Sequence, residues 1–331
     1  MQPSRHALIT GTLYALAAGL MWGLVFVAPT LLAEYPPALL AVGRYLAFGL
    51  IAVPLAWMAR AALRGLSRAD WLEALKLSAV GNLLYYLCLA AAIQMTGGPL
   101  ATMIIGTLPV VIAIVSNLRS GAAVRARDGR LPWARLAPSL ALIAAGIGFV
   151  NQAELARMQA LGDVDLARYG LGVLLAVCAV ACWTWYPIRN ADWLRAHADR
   201  SPSAWATAQG LVTLPMAAVG YALLWIGDAA FGGGALQMPF GPRAWEFIGL
   251  MLAIGLFASW LGTLCWNEAS QRLPPALAGQ LIVFETLAAL AYALALRGQA
   301  PAPGVLLGVV LGVVLLVAGV LWALRVKPQA A

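Results

Sequence analysis

One acidic residue, Glu285, lies inside a long apolar run, AGQLIVFETLAALAYALAL, at residues 278–296. If this run crosses a lipid bilayer, an ionised carboxylate there costs at least about 2.5 kcal/mol, so we expect the side chain to face protein rather than lipid. Arg44 is the only other charge predicted to lie deep in an apolar run, which makes it the candidate partner. Lys76, by contrast, is predicted to pair with Glu73, three residues away on one helix face. Glu285 could therefore line a solute path and carry a coupling proton, or it could be a hydrogen-bonded or protonated structural group.

A second group of candidates combines polar and aromatic side chains. Asn82 is followed at i+3 and i+4 by Tyr85 and Tyr86, a spacing that places all three on one helical face. Such a face could bind a polar, partly aromatic solute. Gln280 is a further polar residue within an apolar run. Hydrogen bonding between helices is the ordinary role of residues of this kind in membranes and remains the alternative.

Several tryptophans also lie well inside apolar runs rather than at their ends. Trp22 and Trp183 are predicted in opposite halves of the membrane, which suits gates at opposite ends of one cavity. Trp185 and Trp260 could add rings to the same path, although an interfacial belt or a packed core would use such rings too. The predicted substrate-binding set is Trp22, Asn82, Tyr85, Tyr86, Trp183, Trp185, Trp260, Gln280 and Glu285.

Residues for hydrolytic or metal chemistry are scarce. The two histidines, His6 and His197, lie at the terminus and in a predicted loop, and every aspartate lies in a loop or at the end of an apolar run. The four cysteines lie inside apolar runs, and the i, i+4 pair Cys178 and Cys182 has no histidine or carboxylate beside it. We therefore expect no catalytic residues, no metal, no cofactor and no enzymatic activity.

The elements that must position these residues are membrane-spanning helices. Hydrophobic residues make up 63% of the 331 residues and charged residues only 10%, with a mean hydropathy of +0.85, which exceeds what a soluble protein of this length can bury. The first apolar run is too long for a cleaved signal and is expected to stay as a span. The predicted fold is all-α and integral to the membrane, with ten transmembrane helices and no separate soluble domain. The predicted spans are residues 8–30, 38–58, 70–92, 98–118, 133–150, 169–189, 203–226, 243–267, 276–296 and 301–323.

The net charge of +8 is distributed unevenly between the predicted loops. Segments on one side of the membrane hold 14 of the 21 lysines and arginines, and loops on the other side hold 4. This bias predicts cytoplasmic N- and C-termini and gives no reason to expect a nucleic-acid partner. Arginine outnumbers lysine 19 to 2 and alanine is abundant, which is typical of GC-rich bacteria, so the expected location is the bacterial inner membrane.

The two halves of the chain show weak internal similarity. An offset of 161 residues matches Gly11 with Gly172, Trp22 with Trp183, Gly49 with Gly210 and Pro54 with Pro215. Chance matching of apolar residues is the alternative, but glycine, tryptophan and proline match by chance less often than leucine or alanine. Residues 1–150 and 151–331 are thus predicted to be two five-helix repeats. Because five is odd, the second repeat is inverted, and inverted repeats are typical of transporters.

Four segments carry a resemblance to a known family: AAGLMWG, CAVACWTWY, GGPLATMIIGTLPVVIAI and LPPALAGQLIVFETLAAL. They resemble the paired EamA domains of the drug/metabolite transporter superfamily, in particular the YddG-like branch of bacterial aromatic amino-acid exporters. The resemblance implies a central cavity formed by helices one, three, four, six, eight and nine, with helices five and ten outside it. The family often has a proline in helices four and nine. Here Pro109 fits the first position, whereas Glu285 replaces the second.

The combined prediction is a transporter that exports amino acids, aromatic or otherwise neutral, or similar small zwitterionic metabolites, by alternating access. The direction of transport comes from the resemblance alone. Neutral drug-like metabolites, nucleotide-type solutes or a channel remain alternatives, although a phosphorylated solute needs several converging cations and only Arg44 is predicted at depth.

The glycines at 304, 308 and 312 form a close-packing stripe, which favours packing within a monomer over a dimer interface.

Overall fold

The computed structural model describes residues 5–119, 133–160, 165–273, 278, 281–297 and 303–324. Throughout these ranges the regular secondary structure is helical, without a strand. The α-helices, numbered in chain order, are α1 Arg5–Gly23, α2 Val27–Leu31, α3 Pro37–Met58, α4 Arg60–Arg64, α5 Arg68–Leu77, α6 Tyr85–Thr96, α7 Gly98–Ile105, α8 Leu108–Leu118, α9 Trp133–Ala160, α10 Leu166–Ala196, α11 Pro202–Phe231, α12 Ala244–Ile254, α13 Gly262–Arg272, α14 Val283–Arg297 and α15 Pro303–Leu324.

Six continuous helical segments within the described ranges are long and apolar enough to cross a bilayer. They are His6–Leu31, Pro37–Met58, Arg68–Thr96, Leu166–Ala196, Pro202–Phe231 and Ala244–Arg272. Four shorter apolar helices, of 10 to 17 residues, overlap the other predicted spans. The all-helical membrane fold is therefore confirmed, whereas the count of ten spans and the inverted repeat stay predictions.

Two of the long helices contain a π-helical segment near their middle. Ser78–Leu84 joins α5 to α6, and Gly255–Leu261 joins α12 to α13. Each segment is seven residues long, and their starts are 177 residues apart. Segments of this kind widen a helix locally and are frequent at functional sites. The same spacing relates Asn82 in the first segment to Ser259 in the second.

Small residues allow the helices to pack closely in the centre of the bundle. A Cβ atom on Gly49 of α3 would lie 2.5 Å from the Cβ atom of Leu214 in α11, and one on Gly210 would lie 2.6 Å from the Cβ atom of Ala52. Glycine is therefore required on both sides of this contact. Elsewhere α1 packs against α13 and α14, α6 packs against α10, and α9 packs against α15.

Arginines mark one end of the bundle, which we call the arginine-rich face and define by Arg119, Arg189, Arg200 and Arg272. Here Arg189 donates two hydrogen bonds to the Glu73 carboxylate, at 2.5 and 3.1 Å. The predicted pair between Lys76 and Glu73 is wrong, because the forked guanidinium of a neighbouring helix engages both carboxylate oxygens.

Candidate functional site

A small cavity lies in the centre of the bundle, where α1, α3, α6, the two π-helical segments, α10, α13 and α14 converge. In this conformation the cavity volume is about 10 Å³, room for about one water molecule. Five of the nine predicted site residues line this central cavity: Trp22, Asn82, Tyr85, Trp183 and Glu285. Arg44, the predicted partner of Glu285, lines it as well. No described residue of α9 or α15 does, as the resemblance implied for helices five and ten.

Glu285 enters the cavity from the first turn of α14 and is only 1% exposed. Its helix approaches α1 so closely that a Cβ atom on Gly19 would lie 3.0 Å from the Glu285 backbone nitrogen. The Tyr85 hydroxyl and the Trp183 indole nitrogen lie beside the carboxylate. Among the described residues, the Oε2 atom of Glu285, the Tyr85 hydroxyl and the Trp183 nitrogen all lack a hydrogen bond of good geometry. Buried polar groups in native proteins are normally paired, so this cluster is equipped to bind a further molecule.

Arg44 faces the same cavity from α3 and is held away from Glu285. Its Nε atom donates to the Ser259 hydroxyl at 3.0 Å, and its Nη2 atom donates to the Ala258 carbonyl at 3.4 Å. The guanidinium carbon lies 4.4 Å from the centre of the Tyr86 ring, a cation–π contact. Arg44 and Glu285 form no ion pair, and within the described part of the chain the Nη1 atom of Arg44 has no partner.

Aromatic rings form one wall of the cavity. Trp22 meets Trp183 edge to face, with ring centres 5.1 Å apart. Trp183 is stacked between Tyr85 at 4.8 Å and Tyr186 at 4.7 Å. The prediction that Trp22 and Trp183 lie at opposite ends of a cavity is wrong, because α1 and α10 bring both rings to the same level. A solute in the cavity would meet them together.

The remaining predicted site residues lie elsewhere. Tyr86 is buried behind Arg44, and its hydroxyl donates to the Val25 carbonyl at 3.2 Å. Trp185 is 38% exposed and lines a separate groove between α8 and α10. Trp260 is half-buried and donates to the Thr207 hydroxyl at 3.1 Å. Gln280 lies outside the described residues.

Besides Arg44, five lining residues were not in the predicted set, and three of them have polar side chains: Tyr45, Ser259 and Thr263. Ser259 and Thr263 are polar residues in an apolar segment, and their i, i+4 spacing is a signal that could have found them. Tyr45 has no comparable signal, since its ring differs in no sequence property from a core tyrosine. Within the described ranges, no group of three histidine, cysteine, aspartate or glutamate residues could hold a metal ion. The lining of the central cavity is thus polar and aromatic, and it includes one arginine and one acidic residue.

Comparison with known proteins places this architecture in a family. The model of the EamA-like transporter family matches residues 9–128. The chain is 53% identical over 324 residues to the inner membrane protein YtfF of Escherichia coli (strain K12), and the match covers 97% of each protein. A solved crystal structure is similar in fold, with a TM-score of 0.63 and 18% identity over 95% of this chain and 96% of that one. The chain therefore belongs to the EamA-like transporter family of the drug/metabolite transporter superfamily.

Proposed function

We propose that this protein is an inner-membrane transporter that exports amino acids, aromatic or otherwise neutral, or similar small zwitterionic metabolites. One observation carries the proposal: a guanidinium nitrogen of Arg44 and a carboxyl oxygen of Glu285, neither with a hydrogen-bond partner of good geometry among the described residues, belong to the lining of one aromatic-walled cavity. A zwitterion carries one carboxylate and one ammonium group. Its carboxylate complements the Nη1 atom of Arg44, and its ammonium group complements the Oε2 atom of Glu285.

The separation of the two charges matters as much as their presence. If Arg44 and Glu285 paired with each other, a solute would have to break that buried pair before binding. Ser259 and the Tyr86 ring hold the guanidinium back, which leaves both charges available. The rings of Trp22, Tyr85 and Trp183 then offer stacking and apolar area to an aromatic or bulky side chain.

The alternative solutes fit this cavity less well. A nucleotide or phosphorylated metabolite carries at least two negative charges, and a single guanidinium with a carboxylate nearby complements them poorly. A neutral drug-like molecule would suit the rings but would leave the Nη1 atom of Arg44 and the Oε2 atom of Glu285 without hydrogen bonds, which is costly.

Matched features in the two halves of the chain support alternating access between inverted repeats at residues 1–150 and 151–331. Two π-helical segments of equal length occupy equivalent places in the third and eighth predicted spans. Gly49 and Gly210, matched at the offset of 161, lie on the two sides of the same α3–α11 contact. The arginine-rich face is the cytoplasmic one in this proposal, because positive charge favours that side.

Transport by purified protein in liposomes tests the proposal. A panel of labelled amino acids, with and without a pH gradient, should give saturable flux for aromatic or other neutral members. Methyl esters, which lack the carboxylate charge, and N-acetyl derivatives, which lack the ammonium charge, should be transported poorly. Flux that does not saturate would indicate a channel, and flux of an uncharged aromatic compound equal to that of the amino acid would overturn the zwitterion assignment.

A further inference from the structure

A groove runs between α8 and α10, with a volume of about 520 Å³. Sites for small molecules typically have volumes of roughly 300–1,000 Å³. The groove shares no described lining residue with the central cavity, although α10 contributes to both. We call it the lateral groove and define it by its lining residues, which are Val111, Val115, Arg119, Ala181, Thr184, Trp185, Ile188, Arg189 and Asp192.

Helical spacing produces the lateral groove. The lining residues of α8 and its C-cap recur every four positions, at 111, 115 and 119, and so form one stripe. Those of α10 recur at spacings of three and four from Ala181 to Asp192 and form a second stripe. At the helical rise, this second stripe is about 16 Å long. The two stripes end together, because the side chains of Arg119 and Asp192 are bonded to each other.

The lateral groove changes from apolar to charged along its length. Valines of α8 and Ala181 of α10 line one end, whereas arginines and an aspartate line the end at the arginine-rich face. Ala181, Val115 and Trp185 are exposed, and α10 belongs to one of the segments that are long and apolar enough to span the membrane. The apolar end therefore meets acyl chains in a bilayer, and the charged end lies towards the membrane surface. A ligand that matches both ends is an amphiphile from the bilayer itself.

The charged end of the groove presents both signs of charge. Arg119 forms an ion pair with Asp192, and Arg189 donates two hydrogen bonds to the Glu73 carboxylate. The charges of these four side chains cancel, so together they offer no net attraction to an anionic headgroup. Each ion pair uses two of the five N–H donors of its guanidinium, so the arginines can also donate to a phosphate. A headgroup with one phosphate and one ammonium group matches this arrangement.

We propose that the lateral groove binds one molecule of phosphatidylethanolamine from the surrounding bilayer. An acyl chain lies between the two stripes, and the headgroup lies at the charged end, as headgroups do in basic pockets between membrane helices. The phosphate accepts hydrogen bonds from Arg119 and Arg189, and the ammonium group donates to a neighbouring carboxylate. Phosphatidylcholine has no N–H to donate, and phosphatidylglycerol has no cation. This inference does not depend on which solute enters the central cavity.

Lipid binding to the purified full-length protein tests the proposal. Delipidated protein in detergent is titrated with dioleoyl phosphatidylethanolamine, phosphatidylcholine or phosphatidylglycerol, and bound lipids are counted by native mass spectrometry. We expect saturable retention of one phosphatidylethanolamine, with a dissociation constant about ten-fold lower than that of either other lipid. Equal retention of all three lipids, tighter retention of phosphatidylglycerol, or no saturable retention would overturn the site.

Variants locate the bound lipid. Ala181→Leu and Val115→Phe enlarge one exposed side chain on each wall of the groove, and each should weaken retention of phosphatidylethanolamine about ten-fold. Ala222→Leu and Val219→Phe make the same changes at exposed positions of α11 and should leave retention unchanged. Arg189→Gln should weaken binding of all three lipids, since each carries a phosphate. Unfolding temperatures without lipid check that the variants fold. Retention as tight as in the original protein when either wall is filled would overturn the assignment to this groove.

Discussion

Trp22 and Trp183 meet edge to face in the centre of the helical bundle, with ring centres 5.1 Å apart. The two residues are 161 positions apart, which is the offset at which the sequence predicts that the two halves of the chain match. Their contact makes the aromatic wall of the central cavity continuous from α1 to α10. A solute bound there would contact α1 and α10 at once, and a ligand shifts a conformational equilibrium only through contacts that differ between the two states.

Removing the charge of Glu285 should impair transport more than folding. In Glu285→Gln the side chain keeps its size, and the buried carboxylate that costs folding energy is absent. We expect kcat/KM for a zwitterionic amino acid to fall about ten-fold or more, equivalent to about 1.4 kcal/mol, with unchanged thermal stability. Glu285→Leu should lose transport too. Glu246→Gln, an exposed acid on α12, is the control. Normal flux and normal yield in both Glu285 variants would make the residue structural.

Substitutions at Arg44 should lower affinity mainly for solutes that carry a carboxylate. Arg44→Gln is expected to lower affinity for the amino acid about ten-fold, with a smaller effect on its methyl ester. Ser259→Ala removes the acceptor that holds the Nε atom of Arg44. The freed guanidinium can then approach Glu285, so affinity should fall roughly five-fold, equivalent to one hydrogen bond. Binding isotherms for acid and ester measure both effects. Equal losses for acid and ester would contradict this assignment.

Replacing two buried asparagines, one at a time, should affect different properties: one substitution should reduce solute flux, and the other should reduce thermal stability. Asn82 lines the central cavity, so Asn82→Ala should reduce solute flux with little change in protein yield. Asn190 instead donates to Asn267 at 2.8 Å and accepts from Trp205 at 2.8 Å. Asn190→Ala leaves those buried groups unpaired and should destabilise the fold by about 1–3 kcal/mol. Flux and thermal unfolding are measured for both. Normal flux with poor yield for Asn82→Ala would show that it joins helices.

The glycine contact between α3 and α11 should tolerate no side chain. Gly49→Val places new atoms within 2.8 Å of the Leu214 backbone, and overpacking of this kind typically costs about 1–3 kcal/mol. The melting temperature in detergent should drop accordingly. Gly249→Val, at a helical position where a Cβ atom meets nothing within 4 Å, is the matched control and should not lower the melting temperature. Equal melting temperatures for both variants would contradict the close approach.

Some of these features can be predicted from the sequence, because the energetic cost of the alternative is known. Contacts between helices that are distant in sequence cannot be predicted in this way. The price of a charge in lipid is sufficient to predict that Glu285 faces the interior, and the i, i+3 spacing places Asn82 beside Tyr85. Depth along a helix, however, does not say which rings of distant helices meet, so the contact of Trp22 with Trp183 was missed. Glu73 was assigned a partner on its own helix for the same reason, since only the folded bundle brings Arg189 to it.

The π-helical segments have a geometric consequence for the residues that flank them. Each inserts a surplus residue into its helix, and one residue of an α-helix corresponds to a rotation of about 100°. The side chains that follow the π-helical segment are thus rotated about the helix axis, relative to an uninterrupted α-helix. Tyr85 and Thr263 follow the two π-helical segments closely in sequence, and both line the central cavity. We expect that deleting one residue from either π-helical segment would leave the helix at its position in the bundle. The side chains that follow the deletion would then rotate away from the central cavity.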